Sequence, residues 1–175
     1  MPPGRGPDPG ARGVAPHSTG SELTERLFRE HRDELVRLAH LLTGSDAAAQ
    51  DLVQDAFLNV SRTLADPARR IENPAAYLRR AVVNQCMSWH RRRKVERRHL
   101  VEAEEPIFHD PELDGMWVHL RALPPKRRVA LVLRFYQDLS YEDIATTMGV
   151  RVGTVRSLIH RGLASLREEL ADAPD

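Results

Sequence analysis

Cysteine is almost missing from this chain of 175 residues. Cys86 stands alone, which excludes a disulfide framework and any cysteine-rich zinc site and fits a reducing compartment. Aromatics are scarce as well, at 5%, so a single large core built on rings is not expected. No run is long and apolar enough to span a bilayer, and Met1 to Gly20 lacks the apolar stretch of a secretory signal. Half of that leader is Pro or Gly, so residues 1–20 are predicted to be disordered. Alternating β-branched and polar residues between turn signals are lacking, so no strand is predicted. The eight histidines show no HxxxH spacing, and neither a phosphate-cradling glycine loop nor a nucleophile elbow occurs. These absences argue against an enzyme and against a resident metal or cofactor.

What is present is charge, unevenly placed. The net charge is only +1, which taken alone argues against a polyanionic partner. Yet Arg79, Arg80, Arg91, Arg92, Arg93, Lys94, Arg97 and Arg98 face Glu96 alone between positions 79 and 98. From Glu102 to Asp114 six acids stand together, and Arg151, Arg156, Arg161 and Arg167 then follow in a stretch without any acid. Two basic blocks flank an acidic one, so the average conceals two surfaces suited to phosphates.

The acidic block VEAEEPIFHDPELD holds Pro106 and Pro111 and has no sustained periodicity. It reads as a linker over 100–114, joining a unit at 21–99 to a smaller one at 115–172. Both units read as helical. Leu23, Leu27, Leu35, Leu38 and Leu42 recur at helical spacing up to Gly44, a predicted stop, and Ser45 can cap the next helix. That helix, from about 46 to 64, divides into an apolar face (Leu52, Val53, Ala56, Phe57, Val60, Leu64) and an opposite face bearing Asp51, Gln54, Asp55 and Leu58. Asn73 followed by Pro74 is a cap and a first-turn proline, opening a third helix that runs into the arginines.

The stretch LSYEDIATTMGVRVGTVRSLIHRG at 139–162 fits a helix-turn-helix. Ile144, Ala145 and Met148 form the inner face of a first helix, Gly149 supplies a left-handed turn residue, and Val150 plugs the corner. Val155, Ile159, Leu163 and Leu166 then point a second helix into the core. Thr154, Ser157 and Arg161 turn outward, flanked by Arg151, Arg156 and His160, a set suited to phosphate oxygens and base edges in a major groove. A helical hairpin with a merely solvated basic face is the plainer alternative. Between Asn73 and Arg98 a second constellation sets Leu78, Val82, Cys86 and Trp89 on one face. Tyr77, Arg80, Asn84, Ser88 and Arg91, with Arg92 beside them, occupy another. A ring, an amide and cations on an exposed face suit unpaired bases, although a solvated basic face explains the pattern about as well.

DLVQDAF at 51–57, NPAAYLRRAVVNQ leading into SWHRRRK, and LPPKRRVALVLRFYQDLSYEDIA followed by GTVRSLIHR together resemble the extracytoplasmic-function sigma factors of the sigma-70 family, in their actinobacterial form. The resemblance runs from about Leu23 to Leu170. It implies an all-α fold of two small helical domains joined by an acidic linker, the C-terminal one carrying the helix-turn-helix. It also implies that Asp51, Gln54, Asp55 and Leu58 dock on core RNA polymerase, and that the helix from Pro74 melts and reads the minus-ten element. The helix-turn-helix would read the minus-thirty-five element as duplex. A cytoplasmic protein without membrane insertion, restrained by an anti-sigma partner, follows from the same resemblance. Relatives often carry Ser or Pro where Arg151 stands and a basic residue where Leu158 stands, so the duplex sequence read here is expected to differ. The rival reading is a stand-alone helix-turn-helix regulator, which leaves the N-terminal half unexplained. A sensor built on Cys86 is a weaker one, because a lone Cys on an apolar helix face is usually core.

Overall fold

The computed structural model describes residues 18–66, 68–96 and 111–171, and within them every regular element is helical. The predicted leader up to residue 17 and the predicted linker up to residue 110 lie outside the described residues. Three helices form the N-terminal unit: α1 (Ser18–Thr43), α2 (Asp46–Leu64) and α3 (Pro74–Glu96). The C-terminal unit holds α4 (Pro111–Leu120), α5 (Pro125–Leu131), a π turn at Val132–Tyr136, α6 (Tyr141–Met148) and α7 (Val152–Ala171).

Two boundaries differ from those read in the sequence. α1 begins at Ser18, inside the stretch expected to be disordered. α4 begins at Pro111, so residues 111–114 belong to its first turn and not to a linker. Proline is well placed there, since a first-turn N–H has no partner within the helix.

Local chemistry sets the turns. Gly44 adopts φ +70° and donates its N–H to the His40 carbonyl at 2.7 Å, ending α1. Ser45 Oγ accepts from the Ala48 N–H at 3.3 Å and starts α2. Asn73 Oδ1 accepts from the Ala76 N–H at 3.0 Å, and Pro74 opens α3. Apolar faces then close the unit, with Leu38, Leu41, Leu42, Val53, Leu78 and Val82 fully buried between the three helices. Each such side chain contributes about 1.5–3 kcal/mol on removal from water. Cys86 lies in the same core, and burial pushes its thiol up to about 12.

The C-terminal unit closes on shorter pieces. α5 runs into the π turn, in which the Gln137 N–H donates to Val132 O, five residues back, at 3.1 Å. α7 crosses α5 at Gly162, where a Cβ would sit 2.8 Å from Leu131 Cδ1. The units pack against each other: α4 and α5 meet α1, and α6 meets α3.

Candidate nucleic-acid interface

The helix-turn-helix is assembled by backbone chemistry at both ends of α6. Ser140 Oγ accepts from the Asp143 N–H at 3.0 Å and donates to Asp143 Oδ2 at 2.6 Å, capping the helix. Gly149, at φ +64°, ends it, and the following Val150 N–H returns to Ala145 O at 3.0 Å. The carbonyl of Arg151 accepts from the Thr154 and Val155 N–H groups, so α7 begins without a side-chain cap from Arg151. Val155 and Ile159 are buried against α5 and α6, and that anchors the rotation of α7. Arg151, Thr154, Arg156, Ser157, His160 and Arg161 are all exposed, as the helical spacing predicts. Ser157 Oγ donates back to Gly153 O at 3.1 Å, leaving its lone pairs outward. Leu158 is half-buried against the core.

On α3 the rotation is fixed by Leu78, Val82, Val83 and Cys86, all buried. Tyr77, Arg80, Asn84, Arg91 and Arg92 are exposed, and Ser88 is half-exposed, with its Oγ accepting from Arg91 Nη2 at 2.8 Å. Trp89 is partly buried against the core, and Arg93 lies over its ring at 4.8 Å. Thus Arg93 is occupied by a cation–π contact, whereas Arg80, Arg91 and Arg92 present their charge outward.

On α2 the buried residues Leu52, Val53, Ala56, Phe57 and Val60 turn Asp51, Gln54, Asp55 and Leu58 to the surface. Asp51 and Asp55 make no ion pair or hydrogen bond with any described residue, and Leu58 is 49% exposed between them and Asn59. An exposed leucine beside two unpaired carboxylates is a surface for a partner with both apolar and cationic groups.

The structure separates the three surfaces but brings one neighbour close. Tyr77, Arg79 and Arg80 line a cleft of about 340 Å³ whose opposite wall is α6, with Asp143, Thr146 and Thr147. The sequence reading missed this wall. It also missed Arg128, a buried guanidinium that donates to the carbonyls of Leu42, Leu120, Arg121 and Leu123. Burial lowers its pKa to about 10. The available signal was periodicity: Arg128 falls three and four residues before Leu131 and Val132, on the apolar side of a short helix. Among the described residues no three His, Cys, Asp or Glu side chains gather into a metal site, and no helix is long and apolar enough to cross a membrane.

This is an architecture of two packed helical units, the second with a helix-turn-helix, that present three separate exposed faces. Residues 27–96 match the family Sigma-70 region 2, and residues 119–166 match Sigma-70, region 4. The chain is 38% identical over 162 residues to the ECF RNA polymerase sigma factor SigE of Mycolicibacterium smegmatis, covering 84% of this chain and 61% of that protein. Against the RNA polymerase sigma-E factor of Streptomyces coelicolor it is 35% identical, over 83% of this chain and 85% of that protein. The sigma factor RpoE of Bartonella quintana, solved in complex with the anti-sigma factor NepR, shares the fold with a TM-score of 0.69 at 24% identity, covering 87% of this chain and 99% of that one. The chain belongs to the extracytoplasmic-function sigma factors of the sigma-70 family.

Proposed function

We propose that this chain acts as an alternative sigma factor, binding core RNA polymerase and directing it to its own set of promoters for recognition and opening. The observation that carries this reading is the coexistence of three outward faces of different chemistry on one helical frame: acidic and apolar on α2, aromatic, amide and cationic on α3, hydroxyl and guanidinium on α7. A stand-alone regulator needs only the last.

In this reading Asp51, Gln54, Asp55 and Leu58 dock on core polymerase. Tyr77, Arg80, Asn84, Ser88, Arg91 and Arg92 take up the melted minus-ten strand, the ring stacking and the amide and cations contacting base edges and phosphates. Arg151, Thr154, Arg156, Ser157, His160 and Arg161 contact the minus-thirty-five duplex. Bond making belongs to the polymerase, and this chain contributes no catalytic group. It works in the cytoplasm, where the polymerase and the chromosome are, and an anti-sigma protein restrains it by covering the surfaces that polymerase uses.

Run-off transcription tests the reading. Purified core polymerase on fragmented chromosomal DNA should yield discrete new transcripts only when this chain is added, and their start sites should share an upstream pair of elements. Tight sequence-specific duplex binding without any new transcript would replace this reading with that of a stand-alone regulator.

A further inference from the structure

The cleft between α3 and α6, about 340 Å³, falls within the range of small-molecule sites, and its walls carry polar groups that the rest of the fold does not use. Thr147 lies on the α6 side. Only 7% of this residue is exposed, yet its hydroxyl makes no hydrogen bond with any described residue, whereas its neighbour Thr146 donates to Glu142 O at 3.0 Å. Buried polar groups in folded chains are nearly always paired. A buried hydroxyl that lines an open cleft without a partner in the chain points to a partner that enters the cleft.

Arg79 faces the same space from α3. It is half-buried and forms neither an ion pair nor a hydrogen bond with a described residue; Arg80 beside it is exposed and equally unpaired. Asp143 stands on the α6 wall, but its carboxylate accepts from Ser140 Oγ at 2.6 Å and pairs with neither arginine. Two adjacent guanidinium groups without a counter-ion attract an anion, and their planar forks fit phosphate oxygens two at a time. Tyr77 adds an exposed ring to the same wall, next to apolar surface from Ile71 and Leu139. Such a ring stacks a flat partner. Strand reading by α3 accounts for Tyr77 and Arg80. It does not account for Thr147, which lies on α6 outside every face assigned above.

The cleft therefore suits a ligand that joins an anion to a flat ring through a hydroxyl-bearing spacer. We propose that it is a binding site for a purine nucleoside phosphate. The phosphates lie on Arg79 and Arg80, the base stacks on Tyr77, and the sugar hydroxyls donate to Asp143 and accept from Thr147. This site goes beyond the sigma-factor reading and stands whether or not Tyr77 and Arg80 also take up unpaired bases.

Equilibrium dialysis of the full chain against GDP, ADP, the two nucleosides and pyrophosphate tests the site, with circular dichroism reporting helicity. At least one nucleotide should bind in equimolar amount, and its nucleoside and pyrophosphate should each bind at least about tenfold more weakly. Thr147→Val exchanges the hydroxyl for a methyl group, and Arg79→Gln removes a charge; each should weaken that nucleotide about tenfold. If Arg79→Gln loses helicity, Arg80→Gln, at an exposed position, decides in its place. Arg37→Gln, exposed on α1 and outside the cleft, should bind like wild type. Absence of saturable binding of both nucleotides to the wild-type chain would overturn the proposal outright. Pyrophosphate binding as tightly as the nucleotide would overturn the role of the ring and leave a simple anion site. Unchanged nucleotide affinity in helical threonine and arginine variants would put the nucleotide elsewhere and remove this cleft as its site.

Discussion

The two units solve one problem, holding an outward face at a fixed rotation, by different means. In the N-terminal unit three long helices bury continuous apolar stripes, so the orientation of α2 and α3 is averaged over many leucine and valine contacts. In the C-terminal unit α5 and α6 have 7 and 8 residues. Orientation there depends on single devices: the Ser140 cap, the left-handed Gly149, the close crossing at Gly162 and the Arg128 plug. Stripes tolerate local change and fail globally; devices fail one at a time. A helix face carried by devices is therefore sensitive to substitutions that leave the fold standing.

Reversing charge on α2 gives the sharpest contrast between surface and core. Asp51→Lys with Asp55→Lys should abolish association with core polymerase in a pull-down while changing stability by no more than about 0.5 kcal/mol, because both side chains are exposed and unpaired. Retained association would remove the docking role. Leu38→Ala tests the stripe: it empties a fully buried site and should cost about 2–5 kcal/mol in urea unfolding. If the loss were confined to α1, with α2 and α3 protected from hydrogen exchange, the N-terminal unit would not be the cooperative body described here.

The devices should show smaller effects on stability and larger ones on reading. Arg161→Ala removes an exposed guanidinium from α7 and should weaken binding to promoter duplex by about 1–3 kcal/mol if it reads a base. Equal weakening across unrelated sequences would make it a phosphate contact. Gly149→Ala puts a side chain at φ +64°, where nothing crowds the Cβ, so the cost is backbone strain alone, about 1 kcal/mol. Loss of duplex binding beyond what that destabilisation explains would locate the fault in the angle between α6 and α7. Full retention would mean that the turn does not set it.

Legibility in the sequence followed the same division. The end of α1 at Gly44, the caps at Ser45 and Asn73, the two faces of α2 and the turn at Gly149 were readable because each is fixed by residues within four or five positions. The start of α4 at Pro111 was hidden by the acids around it, which mask helical periodicity. The π turn was unreadable because VLRFY carries no local breaker; Asp138, at φ +47°, ends it only in three dimensions. Arg128 looked like its neighbours Lys126 and Arg127. What distinguishes it is the Leu42 carbonyl, 86 residues earlier in the chain, and no local pattern encodes a partner at that distance. The three outward faces were legible as residues, whereas the wall that α6 raises beside Tyr77 and Arg80 was not.

The smallest expected effect concerns Cys86, a titratable group sunk in the stripe-built core. Burial raises its thiol to about 12, so the neutral form is the folded form across physiological pH. The sign follows directly. Below the ordinary thiol value of about 8.5 both folded and unfolded chains hold the proton, and stability is unaffected. Between about 8.5 and 12 only the unfolded chain loses it, so stability should decline as pH rises through that window. At pH 7 the native thiol should resist a disulfide reagent on the timescale of mixing and react only as the chain unfolds. Rapid reaction of the folded protein, with a change in promoter selection, would turn this core residue into a redox sensor. A rate equal to that of global unfolding would leave it as packing.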